Sequence, residues 1–164
     1  MHEVVDFGSD RGGQWLVTAA LHGESAIADR WRSDPDTAVR AIAFGLRAIH
    51  AIDMREFPPS SSAASWATRT PEQLGARPEV KRPVLLHGDA CAPNTLIAID
   101  GDFAGHVDLV DVAVGDRWAD LAVASMSLDW NYGEGFQDAF FAAYGIDPVP
   151  ARLAYYRSLW HLES

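Results

Sequence analysis

The fold of this chain can be read outward from residues 84–108, VLLHGDACAPNTLIAIDGDFAGHVD. The stretch opens with the short apolar run Val84–Leu86, which predicts a buried strand. Two further strand-like runs follow, Thr95–Ile99 and Phe103–Val107, and they are separated by Asp100–Asp102, which has glycine at its centre. Because acidic residues around a glycine favour tight turns, these two runs predict a β-hairpin.

Three polar residues lie around this predicted hairpin. Asn94 lies seven residues before Gly101, and Asp108 lies seven residues after it. Folding the chain at Gly101 therefore places the two side chains opposite each other, where antiparallel partners have Cα atoms about 4.5 to 5.5 Å apart. A bulge, which is common in hairpins with three-residue loops, would shift this register by one residue. An amide oxygen and a carboxylate so placed suit Mg²⁺, and Asp89 stands beside them as a separate carboxylate.

The same segment resembles the catalytic loop of the aminoglycoside phosphotransferases, through His87, Gly88, Asp89 and Asn94. Four further segments match that family, and they are Val107–Leu109, Asp116–Trp118 with Asp120 and Leu121, Ala143–Ile146, and Tyr155–Arg157. The likeness is strongest to the aminoglycoside 3'-phosphotransferase branch and extends over residues 4–160. An alternative interpretation is purely structural, with Asp89 and Asn94 capping turns and Asp108 ending a strand. It does not explain why the three residues occur together at the spacing of the family motifs.

The resemblance implies an α+β fold that is mostly α, the carboxyl-terminal lobe of a protein-kinase-like fold. Residues 1–22 would be a remnant of the amino-terminal lobe, its last β-hairpin and the hinge. Residues 23–164 would form the helical carboxyl-terminal catalytic lobe, which contains the catalytic-loop β-hairpin. Two regions of one kinase-like enzyme are therefore expected.

Most of the amino-terminal lobe is expected to be missing. A kinase-like enzyme holds the ATP phosphates with a lysine on an early strand, under a glycine-rich loop. The only lysine here is Lys81, which lies six residues before His87 in the other lobe. The chain is therefore expected to be either a fragment of a longer enzyme or a naturally shortened relative.

The implied reaction is transfer of the γ-phosphoryl group of ATP to a hydroxyl group of an aminoglycoside-like substrate, an antibiotic-resistance activity. By resemblance, Asp89 would orient the hydroxyl and accept its proton, and His87 would brace the loop. Asn94 and Asp108 would hold Mg²⁺ on the ATP phosphates. The nucleotide would lie against three apolar residues, which are Ala19 and Leu21 in the hinge and Val107 beside the metal segment. No residue is assigned to the substrate.

Local patterns predict the elements around the site. Strands are predicted at Glu3–Phe7 and Gln14–Ala19, around a turn at Gly8–Gly13. A helix is predicted to start at Asp34, because an acceptor side chain followed by proline is typical of a helix N-terminus. His50, near its apolar stripe, is interpreted as a packed or surface histidine. Three more helices are predicted within 117–130, 136–144 and 153–160.

The composition excludes several classes of protein. The 164 residues carry a net charge of −10, which argues against nucleic acid and anionic membranes as partners and is compatible with a cationic substrate. No apolar run reaches the roughly eighteen residues of a membrane span, and no signal peptide is recognisable, so a soluble cytoplasmic protein is expected. The single cysteine, Cys91, is interpreted as a small residue that fills the catalytic loop. No pattern indicates an oligomeric state.

Several positions depart from the family pattern. Val110 replaces a glycine, and Asp111 stands where some relatives carry a basic residue. Trp160 and His161 occupy positions where many aminoglycoside kinases have acidic residues that bind substrate amines. Two alternatives therefore stay open. One is a kinase for another small hydroxylated substrate, such as a macrolide or a metabolite, and the other is a non-catalytic remnant or binding module that lacks the nucleotide lobe.

Overall fold

The structure is a computed structural model that describes residues 3–56 and 65–163. Within them, the β-strands are β1 (Val4–Asp10), β2 (Gly13–Thr18), β3 (Glu24–Ser25), β4 (Val84–Leu86), β5 (Thr95–Ile97), β6 (Phe103–His106) and β7 (Ala113–Gly115). The α-helices are α1 (Asp29–Arg32), α2 (Pro35–His50), α3 (Trp118–Tyr132), α4 (Gln137–Tyr144) and α5 (Pro150–Glu163). The predicted mixture of helix and strand is therefore confirmed. Among the helices of these two ranges, none has the length and apolar character needed to cross a membrane.

Helix α2 begins where the sequence predicts. The Asp34 side chain accepts a hydrogen bond from the Thr37 N–H at 3.3 Å, and Pro35 occupies the first turn. The predicted apolar stripe is buried, with Val39 and Ile42 among its members. This face packs against α4 and against β4, β5 and β6. Helix α2 therefore supports the strands on both sides of the proposed catalytic loop.

Helix α3 forms the centre of the domain. Every residue from Trp118 to Leu128 is buried, so the helix is covered on all sides and not only along one stripe. It packs against α5 and against a short 3-10 turn, Ala92–Asn94, in the proposed catalytic loop. Buried polar groups need partners inside the protein, and two polar residues of α3, Asp120 and Ser127, find theirs in the backbone of this loop.

The β5–β6 hairpin forms as predicted, but its register differs by one residue from symmetric folding. Thr95 pairs with His106, and the register shifts again farther along the ladder toward the loop. At the open end, the Val107 N–H donates to the Asn94 carbonyl at 3.0 Å. Val107 therefore lies opposite Asn94, and the prediction that Asp108 would do so is wrong. Two local features account for the difference. The Ala98 N–H donates to the Asp102 carbonyl, so the loop spans residues 99–101 and is centred one residue earlier than predicted, which moves the register by two residues. A bulge between the Leu96–Gly105 and Ile97–Phe103 pairs then restores one of them.

The amino-terminal hairpin also forms, with a shorter turn than predicted. Strand β1 continues to Asp10 and β2 begins at Gly13, so the turn has two residues instead of the whole of Gly8–Gly13. Gly8 lies within β1, where an added Cβ atom would be only 2.6 Å from the Trp15 ring. Gly8 therefore leaves room for the Trp15 ring and does not form part of the turn. Both faces of this two-stranded sheet are largely exposed.

Candidate active site

Strand β4 ends directly before the proposed catalytic loop. His87 is fully buried, Gly88 has a left-handed backbone with φ +87°, and Asp89 is partly exposed. A Cβ atom at Gly88 would lie 2.1 Å from the carbonyl oxygen of Asp111. Glycine is therefore required here both by its backbone conformation and by the close approach of the segment after β6.

Asp120, a fully buried residue in the first turn of α3, fixes the start of this loop. Its Oδ2 atom accepts the His87 N–H at 2.7 Å, and its Oδ1 atom accepts the Gly88 N–H at 3.1 Å. His50 Nε2 lies 2.9 Å from the same Oδ2 atom, while His50 Nδ1 lies 2.8 Å from the Tyr144 hydroxyl. Burial raises the pKa of Asp120, but the hydrogen bond and charge of His50 and the His87 N–H outweigh burial and lower it. Asp120 therefore acts as a buried carboxylate that fixes two backbone N–H groups.

A second residue of α3, Ser127, holds the far side of the loop. Its hydroxyl accepts the Ala92 N–H at 2.8 Å, and Asn131 Nδ2 donates to the same hydroxyl at 3.1 Å. Ser127 lies seven residues after Asp120, and residues seven apart lie on the same face of a helix. One face of α3 therefore fixes the loop on both sides of Asp89.

Asp89 and Asn94 are in direct contact. Asn94 Nδ2 donates to Asp89 Oδ2 at 2.9 Å and to the Asp89 backbone carbonyl at 3.0 Å. With the amide nitrogen so engaged, Asn94 Oδ1 is the atom that could bind a cation. The Cys91 thiol lies beside them, and burial, followed by a hydrogen bond to Asp89 and the charge of Asp89, raises the pKa of Cys91 to about 12. A thiol that stays protonated is a poor nucleophile, which supports the interpretation of Cys91 as a packing residue.

Asp108 lies two residues beyond β6. Its backbone is left-handed with φ +57°, a conformation that aspartate and asparagine tolerate better than most residues. Its side chain is exposed and forms no hydrogen bond or ion pair with any residue that the structure describes, Asn94 included. Across residues 3–56 and 65–163, no three His, Cys, Asp or Glu side chains group as metal ligands. Asn94 and Asp108 together still offer the hard oxygen donors that Mg²⁺ prefers.

The three residues predicted to contact the nucleotide lie in different surroundings. Leu21 packs against β6, since a Cβ atom at Gly105 would be 2.2 Å from Leu21 Cδ1. It also lines an apolar cavity of about 260 Å³ between α2 and β6. The Ala19 N–H donates to the Glu3 carbonyl at 2.8 Å, and Val107 is half-buried directly after β6. Leu21 therefore contacts the β5–β6 hairpin, whereas Ala19 is hydrogen-bonded to the residue that precedes β1.

Sequence reasoning identified Asp120 as part of a family motif but did not predict the contacts through which it supports the loop. His50 is packed, as expected, but its carboxylate partner Asp120 lies 70 residues away in the chain, beyond any local spacing rule. Ser127 carries no signal of its own. The seven-residue step from Asp120 to Ser127 is the pattern that could have indicated a polar face of α3 toward the loop.

His106, at the end of β6, is a buried imidazole next to the loop. Its ring centroid lies 4.8 Å from that of His87, in an edge-to-face arrangement. Burial, together with the charge of His87, lowers the pKa of His106 to about 4, and this value already includes smaller raising effects of the Gly45 and Asn94 backbone and of the Asp120 charge. His106 is therefore neutral in the folded protein near neutral pH.

We expect the protein to lose stability as the pH falls from 6.5 to about 4, because the unfolded chain protonates His106 at its ordinary pKa and the folded chain does not. The lowered pKa corresponds to roughly 3 kcal/mol of unfolding free energy lost at the acid end of this window. Urea denaturation across this window would measure the loss in the wild type and in His106→Gln. His22→Gln, which removes an exposed histidine, is the matched control. The same pH dependence in all three proteins would contradict the role of His106.

Known proteins resemble this chain in sequence and in structure. The model of the phosphotransferase enzyme family matches residues 71–156. The chain is similar to the aminoglycoside 3'-phosphotransferase of Niallia circulans, with 30% identity over 85% of this chain and 63% of that protein. For the aminoglycoside 3'-phosphotransferase of Streptomyces fradiae, the identity is 31% over 95% of this chain and 70% of that protein. A crystal structure of an aminoglycoside-3'-phosphotransferase of type VIII superimposes with a TM-score of 0.75 and 27% identity, covering 96% of this chain and 72% of that chain. This chain therefore spans less than two thirds of the Niallia circulans protein.

Proposed function

This chain belongs to the phosphotransferase enzyme family, and from that premise we propose that it transfers the γ-phosphoryl group of ATP to a hydroxyl of an aminoglycoside-like substrate. One observation carries the proposal: the Asp89 carboxylate and the Asn94 amide are in contact at 2.9 Å. Both lie on a loop that α3 fixes through Asp120 and Ser127. A partly exposed carboxylate on a rigid loop suits general base catalysis, since such a group must be both reachable and oriented.

In the proposed reaction, the substrate hydroxyl oxygen attacks the γ-phosphorus while the bond to the bridging oxygen between the β- and γ-phosphorus atoms breaks, and ADP leaves. Asp89 orients the hydroxyl and takes up its proton. Asn94 restrains Asp89 Oδ2 through its Nδ2 atom, so the carboxylate keeps one orientation. His87 acts from inside the protein, where its backbone N–H is bound by Asp120 and its buried ring braces the loop.

We propose that Asn94 Oδ1 and the Asp108 carboxylate hold Mg²⁺. When bound, the ion would neutralise charge on the phosphates of the nucleotide. The contact of the Asn94 nitrogen with Asp89 supports this role, because it leaves the oxygen as the available donor. The left-handed backbone of Asp108 supports it too, since residues in sparsely populated conformations are concentrated at functional sites.

The same proposal divides the chain into two regions. Residues 1–22 would be the last hairpin and hinge of an amino-terminal lobe, and residues 23–164 the catalytic lobe. The packing of Leu21 against Gly105 supports this division, because it joins the hinge to the catalytic hairpin. ATP would then lie near Ala19, Leu21 and Val107.

We propose a small, hydroxylated and cationic substrate. The net charge of −10 favours a cation over an anion. A kinase for another hydroxylated substrate is the second candidate, and the surroundings of Trp160 favour it. This residue packs on Trp66, and the exposed residue beside it is His161, so no carboxylate stands at these two positions.

A substrate panel tests the reaction. The purified chain would be given Mg²⁺ and ATP with an aminoglycoside, a macrolide or an uncharged polyol, and ADP release would be followed by a coupled assay. We expect ADP release that depends on the aminoglycoside. ADP release with the macrolide or the polyol but not with the aminoglycoside would support the second candidate. No release above background with any of the three compounds would contradict phosphotransferase activity of this chain.

A non-catalytic binding module is a third candidate, and the position of Lys81 favours it. This exposed residue, the only lysine, precedes β4 and lies on no early strand. Calorimetry with Mg²⁺ and ATP separates the candidates directly. The phosphotransferase proposal requires a heat of binding for ATP, whereas an absent heat would favour the non-catalytic module.

A further inference from the structure

The carbonyl of Gly88, inside the catalytic loop, is bound by a distant tryptophan. Trp66 Nε1 donates to this oxygen at 2.5 Å, and only 7% of Trp66 is exposed. The tryptophan begins a 3-10 turn, Trp66–Thr68, which the Ser65 hydroxyl caps by accepting the Ala67 N–H. The donor therefore comes from a separate segment of the chain, 22 residues before its acceptor.

A second tryptophan, on α5, packs against the first. The ring of Trp160 meets that of Trp66 edge to face, with centroids 5.1 Å apart and planes at 82°. Such a geometry is favourable for aromatic pairs. Helix α5 also packs along α3, and α3 binds the loop through Asp120 and Ser127. The same pair of helices therefore fixes both Trp66 and the loop.

The Gly88 carbonyl and the Asp89 N–H belong to one planar peptide group, which moves as a rigid unit. Trp66 holds the oxygen of this group, and the Asp89 N–H lies 3.3 Å from His87 Nδ1. Gly88 lacks a side chain and has a left-handed φ of +87°, so the flanking backbone has little intrinsic preference for one orientation. The orientation of the peptide that carries Asp89 therefore depends on these hydrogen bonds.

We propose that Trp66 is a positioning residue for Asp89 and that Trp160 holds Trp66 in place. The inference rests on the proposed function, because it assigns to Trp66 the orientation of the proposed base. It also gives Trp160 a structural role, as the residue that packs on Trp66. In many aminoglycoside kinases this position has an acidic residue that binds substrate amines. Trp66 touches neither the hydroxyl nor the phosphate in this account, and it acts only through the backbone of the loop.

Trp66→Phe tests the proposal, because it keeps an aromatic ring against Trp160 and removes the N–H donor. We expect kcat to fall by about tenfold or more, with KM for ATP and for the substrate changed by less than about twofold. Trp31→Phe is the matched control: Trp31 is also buried, with 3% of it exposed, and its Nε1 has no hydrogen-bond partner among the described residues. The control should keep the wild-type kcat, and an unchanged kcat in Trp66→Phe would overturn the proposal.

Two variants of Trp160 separate positioning from general destabilisation. Trp160→Phe keeps an aromatic edge against Trp66 and should retain kcat, whereas Trp160→Ala removes the edge and should resemble Trp66→Phe at a temperature where every variant is folded. Equal kcat values in the two Trp160 variants would show that Trp160 does not hold Trp66 in place.

Amide hydrogen exchange by NMR gives a readout that does not depend on activity. Loss of the Trp66 hydrogen bond should accelerate exchange of the Asp89 amide by about tenfold, with no acceleration in Trp31→Phe. If the wild type transfers no phosphate, the proposed function fails while this measurement still decides the positioning role. Unchanged exchange at Asp89 in Trp66→Phe would overturn that role.

Discussion

Asp89→Asn is expected to lower the rate of phosphoryl transfer by about 10²- to 10⁴-fold, the contribution of a positioned general base. Asparagine has nearly the same shape and can still accept the hydrogen bond that Asn94 Nδ2 donates to Asp89 at 2.9 Å. It cannot take up the proton of the attacking hydroxyl. The loss should therefore appear in kcat, measured by coupled ADP release under saturating substrate, while the melting temperature changes little because Asp89 is partly exposed.

Asp102→Asn is the matched control for this prediction. Asp102 is exposed at the end of the loop that joins β5 and β6, and its substitution by asparagine removes one negative charge, as Asp89→Asn does. Its kcat should equal that of the wild type. A kcat for Asp89→Asn within about threefold of this control would exclude Asp89 as the base, since a general base contributes far more.

Asp120→Ala should cause a large loss of stability. Its carboxylate accepts the backbone N–H groups of His87 and Gly88 and pairs with His50, all within the protein interior. Removing one partner of such a buried group leaves the others desolvated and unpaired, which costs about 3 to 5 kcal/mol. The free energy of unfolding, from urea denaturation near pH 7, measures this loss. Because the pKa of Asp120 is lowered, its contribution is fully present above the ordinary value of 3.8 and is lost only as the pH falls through the lower folded value.

Asp116→Ala provides the comparison for Asp120→Ala. Asp116 is also buried and forms an ion pair with Arg152, but it makes no hydrogen bond to the proposed catalytic loop. Both variants should be destabilised, whereas only Asp120→Ala should also lose kcat at a temperature where the folded form dominates. An Asp120→Ala protein with wild-type stability would contradict the role of this carboxylate, and equal kcat in the two variants would show that the loop does not depend on it.

Elements set by local pattern could be predicted from the sequence. Val84–Leu86 forms a strand because it is a short apolar run that ends at polar loop residues. Helix α2 starts at its expected cap because Asp34 and Pro35 together specify a helix N-terminus. The contact of Asp89 with Asn94 likewise follows from a short loop between β4 and β5. In each case the information lies within a few consecutive residues.

Features that a local pattern leaves open, or that long-range packing decides, could not be predicted in this way. The hairpin register depends both on where the loop closes and on a bulge of one residue, and together they place Val107 opposite Asn94. The donor to the Gly88 carbonyl, Trp66, comes from a segment with no recognisable motif. Such partners are specified by how whole helices pack, and the helix pattern alone does not reveal which polar side chain will meet which backbone group.

The most direct test of the proposed site is transfer of the label from γ-³²P-labelled ATP to an aminoglycoside by the purified chain, with wild type and Asp89→Asn assayed side by side in Mg²⁺. The proposed roles predict labelled aminoglycoside with the wild type, confirmed as a phosphate ester by mass spectrometry, and an initial rate of labelling at least about a hundredfold lower with Asp89→Asn. Equal labelling by the two proteins would contradict the assignment of Asp89, and no labelling by the wild type would contradict aminoglycoside phosphotransfer by this chain.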